Sequence, residues 1–218
     1  MRTLVIDTAL GACSAALCED GRVLGVRSVV MARGHSERLA GFARDAMDEA
    51  GAAFQTIDRI GVTVGPGSFT GLRVGLAFAL GLGQALERPV VGISTLQALA
   101  WSAPGGPDGP VAAVIDARRG EVYLQTFLDG EPSTEAAAAT IETAAEKLQQ
   151  GGVSWRRVGN GAALVAPEAA YPVTEPDPLA LAALTERLEP DVHRARPLYL
   201  RAPDATPPTR LPGQARAS

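Results

Sequence analysis

Gly65-Pro66-Gly67-Ser68-Phe69-Thr70-Gly71-Leu72-Arg73 is the stretch whose reading decides the fold. It follows the β-rich run Ile60-Gly61-Val62-Thr63-Val64 and opens an apolar helical run from Leu72 to Leu86. A glycine-rich turn between strand and helix aims backbone N–H groups where they can cradle an anion. Phosphate binding is therefore the first local reading. The loop lacks the lysine of a Walker loop, and its glycines equally suit a tight strand-to-helix turn.

The helix that follows carries a second pattern. Gly71, Gly75, Ala79 and Gly83 recur every four residues. Each glycine costs about 1 kcal/mol relative to alanine in a helix interior, so a row of them needs a packing reason. Either the chain's own sheet or a partner helix would supply one. The rest of the helix is apolar nearly all round, with Leu72, Val74, Leu76, Phe78, Leu80, Leu82 and Leu86. Such a helix must be covered on all sides, and a sheet covers only one. The Leu39, Phe42, Met47 helix covers more, and the remainder suits a subunit interface.

Working outward, Thr3–Thr8, Cys13–Cys18 and Arg22–Val30 read as strands, with Asp20-Gly21 as a hairpin turn between the last two. Ser36 is placed to cap a helix running to Ala50, whose apolar face is Leu39, Phe42, Ala43, Ala46, Met47 and Ala50. Pro89–Ile93 is a strand, and Ser94 caps a short helix ending at Trp101. The breaker-rich segment 103–110 is a linker between a first domain at 1–102 and a second at 111–201. The second half holds strands at Val111–Asp116 and Glu121–Leu128. Helices follow at Thr140–Gln150 and Asp177–Leu188, with Pro178 in the first turn of the latter. From 202 to 218, a Pro-, Ala- and Arg-rich composition predicts a disordered tail.

The two halves open alike. Val5-Ile6-Asp7-x-x-x-Gly11 and Val114-Ile115-Asp116-x-x-x-Gly120 share their spacing, and a hairpin follows each. This points to a duplicated unit. The layout resembles the α/β actin and sugar-kinase superfamily (ASKHA, ribonuclease H-like), in which each domain is a mixed sheet flanked by helices. In its active members two acid-tipped hairpins face each other across a cleft for nucleotide phosphates and metal. Asp7 and Asp116 read either as remnants of such a cleft, together with Gly65, Gly67 and Ser68, or as aspartates that cap their own turns.

Composition bounds the rest. The chain has 218 residues, 46% of them apolar and only 5% aromatic, so its core is built from Ala, Val, Leu and Ile. A formal net charge of −4 argues against a free-standing nucleic-acid binder. Direct nucleic-acid binding through Arg118, Arg119, Arg156, Arg157, Arg194, Arg196 and Arg201 stands as a minor alternative. Cys13 and Cys18 are five apart on one strand, point to opposite faces and make no disulfide framework. A reducing cytoplasm fits them. No signal peptide is expected at Met1–Asp7. The run from Leu72 to Leu86, interrupted by Arg73 and Gln84, falls short of the ~20 residues of a membrane span, so no membrane association is expected. His35 and His193 are read as solvated, since their separation suits no metal pair. No G-x-S-x-G elbow surrounds Ser68, which argues against a protease.

Arg2–Ala9, the Gly65–Gly75 block, Gly92-Ile93-Ser94-Thr95-Leu96 and Ile115–Tyr123 together resemble the TsaB (YeaZ) family. Pro197-Leu198-Tyr199-Leu200-Arg201 is similar to that family's C-terminal motif. The resemblance implies a non-catalytic, dimerising subunit of the bacterial machinery that makes N6-threonylcarbamoyladenosine next to the tRNA anticodon. The subunit is a degenerate paralogue of the catalytic TsaD. TsaD carries two metal-binding histidines four apart after the corresponding strand; Gly92–Ala100 has none. The implied partners are TsaD, the ATPase TsaE and, through the complex, tRNA, with a homodimer when TsaD is absent. No cofactor is implied beyond ATP and magnesium at a residual or shared site. The expected partner face comprises Leu39, Phe42, Met47, Phe69, Arg73, Leu76 and Leu80. The alternative is a nucleotide-dependent transferase or kinase of the same superfamily with a working ATP cleft.

Overall fold

The computed structural model describes residues 1–31 and 33–201, so the predicted tail at 202–218 lies outside the described residues. The first sheet is built on β1 (Arg2–Asp7), which pairs antiparallel with β2 (Ala12–Glu19) and parallel with β4 (Arg59–Gly65). With β3 (Arg22–Val30) and β5 (Val90–Ser94) the order is β3-β2-β1-β4-β5. The β2–β3 turn has positive φ at Asp20 and Gly21, the left-handed pair that a two-residue hairpin needs.

Helices α1 (His35–Glu49) and α2 (Phe69–Leu86) cover one face of this sheet. Leu39, Phe42, Ala43, Ala46 and Met47 recur at the spacing of a single helical stripe, and all are buried. Ser36 does not cap α1. The cap position is Gly34, with φ of 85° and no side-chain bond. Ser68 caps α2 instead, accepting from Gly71 N–H at 3.2 Å, so the helix starts three residues before Leu72.

That early start makes α2 long and apolar enough, by length and composition alone, to cross a membrane, contrary to the reading of Leu72–Leu86. In this fold it lies on the sheet. A Cβ added at Gly71 would sit 2.0 Å from the Thr8 carbonyl oxygen, at Gly75 2.4 Å from Thr8 Oγ1, and at Gly83 2.3 Å from Val90 Cγ2. The small-residue row therefore faces the chain's own sheet, and the glycines permit its close approach.

After α3 (Thr95–Trp101) the second sheet repeats the first in reduced form. β6 (Pro110–Arg118) pairs antiparallel with β7 (Glu121–Leu128) and parallel with β10 (Arg156–Val158). The short β8 (Glu131–Pro132) and β9 (Ala137–Thr140) both pair with β7. Thus β6, β7 and β10 stand to one another as β1, β2 and β4 do. No strand among the described residues takes the place of β5. α4 (Ile141–Gln149), capped by Thr140, and the single turn α5 (Ala162–Val165) cover its outer face.

The last helix, α6 (Pro178–Arg187), crosses the expected domain boundary. Its Leu181, Ala182 and Leu184, with the following Leu188, join Val5, Ala16, Cys18, Val91 and Ile93 on the second face of the first sheet. Asp177 caps it, accepting from Leu179 N–H at 2.8 Å. On the other side Leu96 and Leu99 of α3 enter the core of the second sheet with Val111, Ala113 and Ile115. The two halves thus exchange helices. Cys13 and Cys18 sit in different cores on opposite faces of β2, and burial pushes their thiols up to about 11 and about 12.

Candidate functional site

Two surface features collect the candidate residues: a cleft between the sheets and a groove between α1 and α2. The cleft has a volume of about 350 Å³, and Gly67, Ser68, Asp116, Arg118 and Asn160 are among its walls. Both repeat aspartates close an Asx turn. Asp7 Oδ1 accepts from Ala9 N–H at 3.0 Å, and Asp116 Oδ1 accepts from Arg118 N–H at 2.7 Å. Their surroundings differ. Asp116 stays in the cleft wall, paired with Arg118 at 3.2 Å, and Asn160 Oδ1 accepts from its backbone N–H. Asp7 lies below the cleft, 1% exposed, and Thr63 Oγ1 donates to it at 2.6 Å. Burial holds the Asp7 carboxyl above the usual carboxylate range, against the hydrogen bonds that favour its ionised form.

The glycine loop serves the turn. Ser68 N–H donates to Ala9 O at 2.7 Å and Ser68 Oγ caps α2, so both are engaged within the chain. A Cβ at Gly67 would lie 2.2 Å from Ala9 O. Gly65 has φ of 112°, and the carbonyl of Leu198 lies where its side chain would be. Gly65 and Asp7 therefore do not line the cleft; Gly67, Ser68 and Asp116 do. No hydrogen bond joins Ser68 to either histidine among the described residues.

Two buried groups near Asp7 escaped the sequence reading. His35 is 7% exposed rather than solvated, and its Nε2 has no hydrogen-bond partner. Glu175 Oε1 accepts from Gly11 N–H at 2.9 Å while its Oε2 is buried without a partner. Burial, and then repulsion from Asp7, pushes the Glu175 carboxyl up to about 7. Neither residue stands in a motif; only the folding of segment 171–177 onto the first hairpin brings Glu175 there.

The α1–α2 groove has a volume of about 440 Å³ and is walled by Leu39, Phe69, Arg73, Val74, Ala77 and Phe78, among others. Phe69 and Leu80 are each 47% exposed, and Arg73 and Ala77 are exposed on the same side of α2. Arg73 lies over the Phe69 ring, 3.7 Å from its centroid. The other expected face residues are placed differently. Leu39, Phe42, Met47 and Leu76 are buried in the chain's own core, because they form the inward stripes of α1 and α2; of these only Leu39 floors the groove.

Residues 20–177 match the family model described as TsaD, tRNA N6-adenosine threonylcarbamoyltransferase. The tRNA threonylcarbamoyladenosine biosynthesis protein TsaB of Escherichia coli K12 is 38% identical over 74% of this chain and 72% of its own. The solved structure of YeaZ from Pseudomonas aeruginosa superposes with a TM-score of 0.75 at 34% identity, covering 91% of this chain and 99% of that one. A second Pseudomonas aeruginosa structure, of an uncharacterized protein with similarity to peptidase YeaZ, gives a TM-score of 0.78 at 33% identity over 92% and 99%. These matches show that the chain belongs to the TsaB (YeaZ) family.

Proposed function

We propose that this chain serves tRNA threonylcarbamoyladenosine synthesis as a non-catalytic scaffold that docks the catalytic paralogue TsaD along α2. Through TsaD it meets TsaE and tRNA. The observation that carries this reading is the face α2 turns away from its sheet. Phe69, Arg73, Ala77 and Leu80 follow one another at helical spacing, exposed, beside an apolar groove. An exposed, largely apolar stripe of this kind marks an interaction surface. A paralogue of the same fold carries its own α1 and α2, so the two helix pairs can pack face to face in a pseudo-symmetric bundle. A second copy of this chain would use the same face when TsaD is absent.

The test is co-purification and affinity measurement with TsaD. Leu80→Glu and Ala77→Glu place a charge on the exposed stripe and leave the core intact. Each is expected to weaken the complex at least about 30-fold, the scale of losing an interface anchor. Phe42→Glu and Leu76→Glu are unsuitable, since each would bury a charge in the chain's own core and lower its stability. Full binding by both exposed variants would refute the assignment.

The cleft supports a second reading, residual nucleotide binding, because Asp116, Arg118, Asn160 and Ser68 converge on it. Calorimetry with ATP and magnesium decides. Binding heat abolished by Asp116→Ala would favour it, and silence at millimolar ligand would remove it.

A further inference from the structure

Residues 197–201 follow the last helix and run from the first sheet to the second. Their side chains alternate in purpose as an extended segment requires. Leu198 N–H donates to Val64 O at 2.8 Å, and the Leu198 side chain packs on the first core. Leu200 packs on the core of the second sheet. Between them Tyr199 turns outward onto α2. Its ring lies 5.5 Å from that of Phe69, centroid to centroid, and its Oη accepts from Arg73 Nε at 3.3 Å. Arg201 then reaches the β6–β7 hairpin, where it forms an ion pair with Glu121 and donates to Ala117 O at 3.4 Å.

Phe69, Arg73 and Tyr199 make one small assembly of two rings and a guanidinium, all three exposed. Two of its members line the α1–α2 groove. Only Tyr199 comes from outside α2, and its place is set on either side by Leu198 in one sheet and by Leu200 and Arg201 in the other. Long side chains held before a partner arrives lose less freedom on binding. A face whose ring and guanidinium are stacked in advance therefore grips better than the same residues on a bare helix.

We propose that Tyr199 and Arg201 are positioning residues of the docking face: the clasp of Arg201 on Glu121 holds Tyr199 against Phe69 and Arg73. The grip on the paralogue then depends on an ion pair that lies on the second sheet, outside the groove. This rests on the docking reading above and extends it to the C-terminal segment. It also gives the motif Pro197-Leu198-Tyr199-Leu200-Arg201 a purpose that its sequence alone does not reveal.

The experiment uses the full-length chain and purified TsaD. Arg201→Glu is expected to weaken the complex about fivefold or more, the low end of couplings between separated sites. Glu121→Arg alone should do the same. The double exchange, Arg201→Glu with Glu121→Arg, should restore affinity to within about twofold, because it rebuilds the ion pair with its sense reversed. General damage to the fold would not be rescued in this way. In the free chain, NMR contacts between the Tyr199 and Phe69 rings should be lost in Arg201→Glu and return in the double variant. If the wild type binds TsaD and both single variants bind it equally well, or if the double exchange rescues nothing, the inference is overturned. If the wild type fails to bind TsaD, the docking reading falls, and the ring contacts alone then decide whether the clasp positions Tyr199.

Discussion

Replacing Glu175 by glutamine removes one charge from a buried place and leaves its shape. In the native chain Glu175 stands on Gly11 N–H, partly enclosed, with Asp7 close enough to repel it. Burial and that repulsion move its carboxyl from an ordinary 4.5 to about 7. The folded protein thus holds the proton more tightly than the unfolded chain. The resulting stabilisation is fully present below about pH 4.5 and is lost as the pH rises through about 7. Taken whole, the displacement corresponds to about 3 kcal/mol. The side chain as a whole is only partly enclosed, and solvent screening brings the expected effect to about 2 kcal/mol. The glutamine side-chain oxygen can still accept from Gly11 N–H, and the amide carries no charge. Denaturant unfolding at about pH 5 and about pH 8 should show the wild type losing about 2 kcal/mol more than Glu175→Gln over that interval. Asp7 is unchanged in the variant, so its own titration cancels in the comparison of the two proteins. A wild-type-to-variant difference that is the same at both pH values would refute the account of Glu175 as a buried, Asp7-repelled acid.

Two further expectations test the packing. Gly71→Ala drives a Cβ to 2.0 Å from a backbone oxygen and should lower stability by about 2–3 kcal/mol, whereas Gly81→Ala, with nothing within 4 Å, should raise it by up to about 1 kcal/mol; thermal melts of the pair would show opposite shifts. Thr63→Val takes away the hydroxyl that donates to Asp7 at 2.6 Å and should cost about 1–3 kcal/mol. It should also lift the Asp7 carboxyl further, which a carboxyl-carbon NMR titration would read directly.

The features written in local pattern were legible in the sequence. Asp7 and Asp116 share a spacing because they make the same turn, and the structure shows both Asx bonds. The glycine block was legible as a strand-to-helix turn because its glycines sit where Ala9 and Leu198 crowd the backbone. Pro178 marked a helix start for the same local reason. Other features depend on which surfaces meet. The pattern of α6 says that one face is buried and not which sheet buries it. The row from Gly71 to Gly83 says that something approaches closely, and only the fold shows it to be Thr8 just past β1, Val62 of β4 and Val90 of β5. A histidine one residue before an expected cap looks solvated until the helix starts on it, as it does at His35. Glu175 carries no pattern, because its environment is made by Gly11 and Asp7, far away in the chain.

The return of α6 to the first sheet has a consequence for how the molecule is made. β1 through β5 leave the ribosome early, and α1 and α2 can seal one side of them at once. The other side, with Val5, Ala16, Val91 and Ile93, waits for Leu181, Leu184 and Leu188. At about 5–20 residues per second of synthesis, the wait lasts seconds, during which a half-finished apolar surface faces water. Nascent chains halted before Pro178 would therefore leave this face of the first sheet without its α6 cover, and they are the species on which chaperones and proteases would act.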